Sequence, residues 1–147
     1  MAGKKFEFLE HTADAKFRAY GSTLEEAFAN AALAMFTIMA DCSKVKPRVH
    51  KKVSAEGIDV KALLYSFLEE LIFIMDTEEF LLGSVDKVTI TKPGTADRSA
   101  RYALKAAVSG DTVEGHDAHS LVKAVTYSDM EVVEKKGACV IQVVVDI

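Results

Sequence analysis

The clearest structural signal in the chain is DVKALLYSFLEELIFIM, residues 59–75. Its apolar side chains recur at intervals of three and four residues, which places them on one face of an α-helix. They are Val60, Leu63, Leu64, Phe67, Leu68, Leu71, Ile72 and Met75. Asp59 directly precedes them and suits the N-cap position, where its carboxylate accepts a backbone N–H. The stretch therefore predicts an amphipathic helix with one face buried.

A second amphipathic helix is predicted upstream. Ser22-Thr23-Leu24-Glu25 has the pattern of a capping box, in which the Ser22 hydroxyl and the Glu25 carboxylate each accept an unpaired backbone N–H. The helix is expected to end near Asp41. Its apolar stripe consists of Leu24, Ala27, Phe28, Ala31, Met35 and Met39.

Most of the remaining chain alternates apolar and polar residues, which is typical of strands with one buried face. Strands are predicted at 6–8, 15–19, 49–53 (exposed, at a sheet edge), 85–90, 102–108, 123–127, 130–134 and 138–145, with a surface loop at 109–119. The order β-β-α-β-α-β-β-β-β-β predicts an α+β two-layer sandwich, a mixed β-sheet with two amphipathic helices on one face. Because no linker divides the chain, residues 1–147 are expected to form a single domain.

Composition limits the class of protein. The chain has 147 residues, is 50% hydrophobic and has a formal net charge of −4. This fits one folded domain that needs neither disulfide nor metal for its core, and it argues against nucleic-acid binding driven by bulk charge. No secretory signal or membrane-spanning stretch is visible. Cys42 and Cys139 are far apart and indicate a reducing compartment, so we expect a cytoplasmic protein.

Familiar catalytic motifs are missing. The sequence contains no Gly-rich phosphate loop, no GxSxG, no HExxH and no paired CxxC. The chain is also short for an enzyme that builds its own substrate pocket and catalytic loops. We therefore predict that the protein is not an enzyme.

The last residues of the sequence form an unusual pattern. The apolar run 143–145 is typical of a strand buried on both faces, and it ends directly in Asp146 and Ile147. The Asp146 carboxylate and the terminal carboxylate would then lie close together and repel each other. A hard cation or a lysine would relieve that repulsion, and emergence of the terminus into water is an equal alternative. His11 and Asp14 follow the first predicted strand, where turn chemistry and metal ligation are both open.

Other candidate residues carry weaker signals. His116 and His119 form an HxxH pair in the predicted loop, which is an incomplete set of metal ligands. His50 lies in a basic run, 44–52, that holds five Lys or Arg residues, and we expect it to be solvated. The basic run itself fits either an exposed strand or a surface that contacts RNA.

Several stretches, in order and over nearly the whole chain, carry a family resemblance. They are FEFLEHTAD at 6–14, LEEAF at 24–28 with NAALAMF at 30–36, LLY at 63–65 with FL at 67–68, VKAVTY at 122–127, and VDI at 145–147. The HTAD opening, the KAVTY segment and the DI ending are specific in combination. By these motifs the chain resembles the archease family.

The resemblance implies a small α+β accessory protein that activates the GTP-dependent tRNA-splicing RNA ligase. Such a protein promotes guanylylation of the ligase's active-site histidine and multiple turnover, without itself joining RNA. The family also binds a divalent metal, calcium in known members. Its ligands correspond here to Asp14, Asp146 and Ile147, the last through a main-chain or terminal oxygen. Lys123 is a candidate counter-charge or partner contact, and His11 a candidate neighbour of the ligands.

Two other functions remain open on the residues alone. A metal-dependent hydrolase would use the same acidic residues to activate water, although no general base is obvious. A chaperone-like or RNA-binding module would use the basic run 44–52 to contact phosphates.

Overall fold

The computed structural model describes residues 4–10, 14–94, 101–114, 116 and 122–147. Within these ranges the chain forms two α-helices, a 3₁₀ turn at Cys42–Lys44 and seven strands. The helices are α1 (Leu24–Thr37) and α2 (Val60–Glu78). The strands are β1 (Phe6–Leu9), β2 (Ala15–Gly21), β3 (Val49–Gly57), β4 (Phe80–Thr91), β5 (Tyr102–Thr112), β6 (Ala124–Lys135) and β7 (Ala138–Asp146).

The described strands form two sheets. One has four strands in the order β1-β2-β7-β6, and the other has three in the order β3-β5-β4. Each helix contacts strands of both sheets, α1 packing on β2 and β4, and α2 on β3 and β6. The predicted α+β sandwich is confirmed. The prediction of one mixed sheet is wrong, because every observed strand pair is antiparallel and the strands divide into two sheets. Alternation shows which face of a strand is buried, but it does not show which strand is its neighbour.

Helix α2 begins as predicted and buries seven of the eight predicted residues; the eighth, Val60, is half-buried, and Ile74, which was not predicted, is buried. Asp59 is the N-cap, and its Oδ1 accepts a hydrogen bond from the backbone N–H of Ala62 at 2.8 Å. The helix continues past Met75 to Glu78, and Glu79 ends it with a left-handed backbone, φ 54°. The buried face consists of Leu63, Leu64, Phe67, Leu68, Leu71, Ile72, Ile74 and Met75. No helix in the described ranges is long and apolar enough to cross a bilayer.

Helix α1 has its capping box one residue later than the sequence pattern predicts. Thr23 is the N-cap, and its hydroxyl accepts the N–H of Glu26 at 3.1 Å. Glu26 Oε1 in turn accepts the N–H of Ser22 at 2.7 Å. The predicted pair of Ser22 and Glu25 is therefore wrong, because Thr23 and Glu26 have the same spacing and supply the two acceptors.

The end of α1 also differs from the prediction. The helix ends at Thr37 instead of near Asp41. The Asp41 carboxylate accepts the N–H of Ser43 at 3.0 Å and so caps the 3₁₀ turn that follows. An aspartate that bonds the backbone two residues later favours a turn over a continuing helix.

The surface loop predicted at 109–119 is wrong at its start, because β5 continues to Thr112. Ser109 and Asp111, both expected in the loop, are buried. Gly110 lies between them and packs closely on β4, where an added Cβ would be 2.0 Å from the carbonyl oxygen of Leu81. The small glycine allows the two strands to continue side by side.

The strands predicted at 123–127 and 130–134 are joined in β6. The pairing of β6 with β7 is interrupted between Thr126 and Glu131, where extra residues form a bulge. Asp129 in this bulge has a left-handed backbone, φ 53°. A bulge leaves residues unpaired within one strand, so its sequence resembles a break between two strands.

Candidate functional site

Strand β7 lies inside the four-stranded sheet, between β2 and β6. Val143, Val144 and Val145 are completely buried. Val143 and Val145 belong to the main core, and Val144 lies on the opposite face, so the predicted burial on both faces is confirmed. The strand ends at Asp146, which is exposed. A rigid, buried strand thus presents a carboxylate to solvent at its end.

The strand register brings residues from both ends of the chain to this point. Ala15 of β2 pairs with Val145 of β7, so Asp14, one residue earlier, lies beside Asp146, one residue later. On the other side, Ala124 of β6 pairs with Asp146. The N–H of Lys123 donates to the carbonyl oxygen of Asp146 at 2.7 Å. We call Asp14, Lys123, Asp146 and Ile147 the acidic sheet end.

The acidic sheet end is open to solvent. Asp14 is half-buried, Lys123 and Asp146 are exposed, and Ile147 is 40% exposed. Neighbouring strands lie about 4.8 Å apart, so two carboxylates on adjacent strands repel unless a positive charge lies near them. The structure therefore brings together four of the five predicted site residues. The fifth, His11, lies outside the described residues.

The side-chain donors at this end are few. Among the residues that the structure describes, no group of three or more His, Cys, Asp or Glu is arranged to hold a metal. A cation at the acidic sheet end would have the carboxylates of Asp14 and Asp146 and a main-chain oxygen of Ile147. These are oxygen donors, which fit a hard cation and do not fit the nitrogen and sulfur set of structural zinc.

Helix α2 holds the edge of the sheet beside this site. Glu69 Oε2 accepts the backbone N–H of Val125, the residue of β6 that pairs with Val145, at 2.6 Å. One helical turn before Glu69, Tyr65 of α2 stacks on Tyr127 of β6, with the ring centroids 4.5 Å apart and the ring planes at 7°. Burial, followed by the neighbouring Tyr65 and Asp59, raises the pKa of Tyr127. The sequence pattern did not single out Glu69, because it occupies an ordinary polar position of an amphipathic helix.

The bulge of β6 is fixed over the outer face of β7. Gln142 is buried, and its Nε2 donates to the carbonyl oxygen of Asp129 at 2.8 Å. Its Oε1 accepts from Arg18 Nε at 2.9 Å. The Asp129 carboxylate lies 3.6 Å from the Nζ of Lys16. Lys16 is two residues after Asp14 in the sequence. These contacts fasten β6 to β2 and β7 and so keep the acidic sheet end in one arrangement.

His50 lies on β3 of the other sheet, and His116 follows the end of β5. His116 Nε2 is 3.3 Å from an oxygen of Asp111, and Arg48 lies 3.6 Å from the same oxygen. The N–H of Thr112, and then the hydrogen bond with His116, hold the pKa of Asp111 below its usual range. The other member of the predicted HxxH pair, His119, lies outside the described residues. His116 itself belongs to an ion-paired network.

His50 and the cysteines have simple environments. His50 is exposed, as expected, but its Nδ1 is also 2.9 Å from the Ser109 hydroxyl. Cys42 and Cys139 are free thiols, the first half-buried and the second buried. Burial raises the pKa of both thiols. Neither cysteine is activated as a nucleophile would be.

Comparison with known proteins gives one consistent family. The sequence profile of the Archease protein family matches residues 6–147. Protein archease of Methanosarcina mazei is 40% identical over 147 residues, covering 99% of this chain and 97% of the relative. Protein archease of Thermococcus gammatolerans is 45% identical over 131 residues, 88% of each chain.

Solved structures agree with the sequence match. The solution structure of protein 1598 of Methanobacterium thermoautotrophicum is 39% identical, with a TM-score of 0.79 over 97% of this chain and 99% of that one. A crystal structure from Thermotoga maritima, described as an archease and possible chaperone, shares the fold at 16% identity, with a TM-score of 0.62 over 95% of this chain and 94% of that one. The motifs, the fold and the match over nearly the full length show that this chain belongs to the archease family.

Proposed function

We propose that this chain activates the GTP-dependent tRNA-splicing RNA ligase and that the acidic sheet end is its working site. Membership of the archease family supports a role as an accessory protein. The observation that carries the proposal is the pairing of β2 with β7, which sets Asp14 beside Asp146. A pair of carboxylates at an open strand end suits contact with another protein, because Asp146 is exposed and Asp14 is half-buried.

The acidic sheet end fits a hard divalent cation, calcium by the family resemblance. Asp14 and Asp146 would supply carboxylate oxygens, and Ile147 a main-chain oxygen. Calcium takes six to eight oxygen ligands, so three residues leave positions for water or for groups of a partner. When bound, the cation supplies positive charge that attracts phosphate or carboxylate oxygens.

The chain's own residues orient and present this site. The Lys123 N–H fixes the carbonyl of Asp146, and Glu69 fixes the adjoining backbone of Val125. Ile147 and Tyr127 are exposed apolar side chains, 40% and 54% accessible, and would contribute apolar contact to a protein partner. The role of Lys123 in this proposal is to balance carboxylate charge or to touch the partner.

The test is multiple-turnover RNA ligation by the purified ligase with a substoichiometric amount of this protein. We expect the wild type to sustain turnover, and Asp14→Asn and Asp146→Asn each to lose that stimulation at least about tenfold, the size of effect found when groups of a metal site are removed. Asp76→Asn is the matched control, because Asp76 is an exposed carboxylate of α2 outside the site. No gain with the wild type, or an equal gain with all three variants, would reject the proposal.

The same protein preparation separates activation from independent catalysis. Incubated alone with phosphoesters and calcium, magnesium or manganese, the chain is expected to show no turnover. Hydrolysis that disappears in Asp14→Asn would instead support a metal-dependent hydrolase and contradict the accessory role.

A further inference from the structure

The outer face of the three-stranded sheet carries three lysines that the proposed activity does not use. They are Lys52 on β3, Lys87 on β4 and Lys105 on β5, and each is exposed. Lys52 and Lys87 both pair with Ala107 on the central strand, from opposite sides. Lys105 lies two residues from Ala107 on that strand and so points to the same face. We call Lys52, Lys87 and Lys105 the lysine face.

The geometry of the lysine face leaves room for a ligand. Strands are about 4.8 Å apart and residues two positions apart on a strand are about 6.8 Å apart, so each lysine originates within about 10 Å of the other two. Ala107 lies between these lysines, and its side chain is only a methyl group. A group that approaches the sheet there meets a small side chain with long cationic side chains around it.

No ion pair in the described part of the chain includes Lys52, Lys87 or Lys105. Asp86 is on the same face, but its carboxylate accepts hydrogen bonds from the hydroxyls of Ser84 and Ser109. Glu56 is exposed on the same face and pairs with Ala103, two residues along β5 from Lys105. The three lysines outnumber these two carboxylates, so the face carries a local excess of positive charge within a chain of net charge −4.

We propose that the lysine face binds the phosphate backbone of RNA. The choice of RNA over DNA rests on the proposed function, whereas the choice of a phosphate backbone rests on charge complementarity. Lysine ammonium groups contact phosphates without reading base sequence. The other outward positions beside the lysines hold Ser54, Thr89 and Thr91, which are hydroxyl donors of the kind that contact phosphates.

A protein partner fits this surface less well. Protein interfaces are enriched in aromatic and apolar anchors and depleted of lysine. The outward positions around the lysines hold no Phe, Tyr, Trp or large aliphatic side chain; they hold Ser, Thr and Ala, with Asp86, Glu56 and His50 towards the margins. Without Phe, Tyr or Trp, the face lacks the usual platform for stacking on unpaired bases. Contact with the backbone of a paired RNA helix is therefore the interaction that these residues support.

The test is fluorescence anisotropy with a labelled 16-base-pair RNA duplex, measured without ligase at 50 and 200 mM KCl. If three phosphates are neutralised, the slope of log K against log salt is about −2.7, and the affinity falls about 40-fold between these concentrations. Lys52→Gln/Lys87→Gln/Lys105→Gln should weaken binding at least about tenfold at 50 mM and bring the slope close to zero.

The matched control is Lys5→Gln/Lys61→Gln/Lys136→Gln, which removes the same charge from exposed lysines elsewhere. It should keep the wild-type affinity and slope, and thermal unfolding of both triple variants should match the wild type. Equal weakening by the control triple, or no wild-type binding at 50 mM, would overturn the proposal. Guanylylation of the ligase needs no RNA and should be unchanged by the lysine-face triple. Loss of that stimulation, with no RNA binding by the wild type, would assign the face to a protein and also overturn the proposal.

Discussion

Gly110 is a position where an added methyl group should strongly destabilise the fold. An added Cβ would lie 2.0 Å from the Leu81 carbonyl oxygen and 2.9 Å from the Phe80 ring. The first neighbour is backbone, so β4 and β5 must move apart. We expect Gly110→Ala to lower the free energy of unfolding by about 3 kcal/mol and Tm by about 10 °C, measured by calorimetry. Gly94→Ala is the control, because no atom of the described residues lies within 4 Å of a Cβ there, and similar losses in both variants would contradict the packing argument.

Asp111 is the residue whose charge should link folding to acid pH. Its pKa is lowered in the folded state, first by the Thr112 N–H and then by His116, relative to about 3.9 when unfolded. A lowered folded pKa gives stability that is present above the unfolded pKa and lost as pH falls through the folded pKa. Asp111→Asn should therefore be less stable than wild type in urea unfolding at neutral pH, and the gap should close below about pH 4. Glu114→Gln, at an exposed carboxylate, should show no such gap, and a gap for Asp111→Asn that is constant with pH would refute this role.

At the scale of elements, α2 depends on its cap as well as on its buried face. Asp59 Oδ1 accepts the Ala62 N–H at 2.8 Å, which pairs one otherwise free donor of the first turn. Asp59→Ala should lower the free energy of unfolding by about 1 kcal/mol, measured by denaturant unfolding. Asp59→Asn keeps an oxygen acceptor and should lose much less. Equal losses in the two variants would show that the carboxylate charge, and not the hydrogen bond, stabilises the helix.

The elements differ in how far the sequence predicts them. The buried face of α2 follows from spacing alone, because eight apolar residues repeat at helical intervals. The capping box of α1 lies one residue later than predicted. Ser22 and Thr23 have equivalent hydroxyls, and Glu25 and Glu26 have equivalent carboxylates, so the sequence does not distinguish the two pairs. The single strand β6 looks like two, because its bulge interrupts the alternation. Long-range contacts decide these cases, and no local pattern records them.

At the scale of the whole molecule, the acidic sheet end depends on topology. Asp14 and Asp146 lie near opposite ends of the chain, and only the pairing of β2 with β7 sets them side by side. Spacing could not show this, and the family resemblance indicated it because HTAD and the final DI are shared motifs. Glu69 is absent from those motifs, and its contact with Val125 follows only from the way α2 packs on β6.

The molecule also separates its charges between its two sheets. The four-stranded sheet ends in the carboxylates of Asp14 and Asp146, and the three-stranded sheet carries the lysine face. A net charge of −4 averages over both and predicts neither. Because the two surfaces belong to different sheets, a protein partner at one and an RNA at the other would not compete for the same strands.

The proposed function requires the carboxylates of Asp14, before β2, and Asp146, at the end of β7, to act on the ligase. The most direct measurement is the rate of ligase guanylylation with radiolabelled GTP, in calcium and without RNA, in the presence of wild type, Asp14→Asn, Asp146→Asn or the control Asp76→Asn. We expect stimulation by wild type and Asp76→Asn, and little or none by Asp14→Asn and Asp146→Asn, with all four proteins equally folded. Stimulation by Asp14→Asn and Asp146→Asn at the wild-type rate would contradict it.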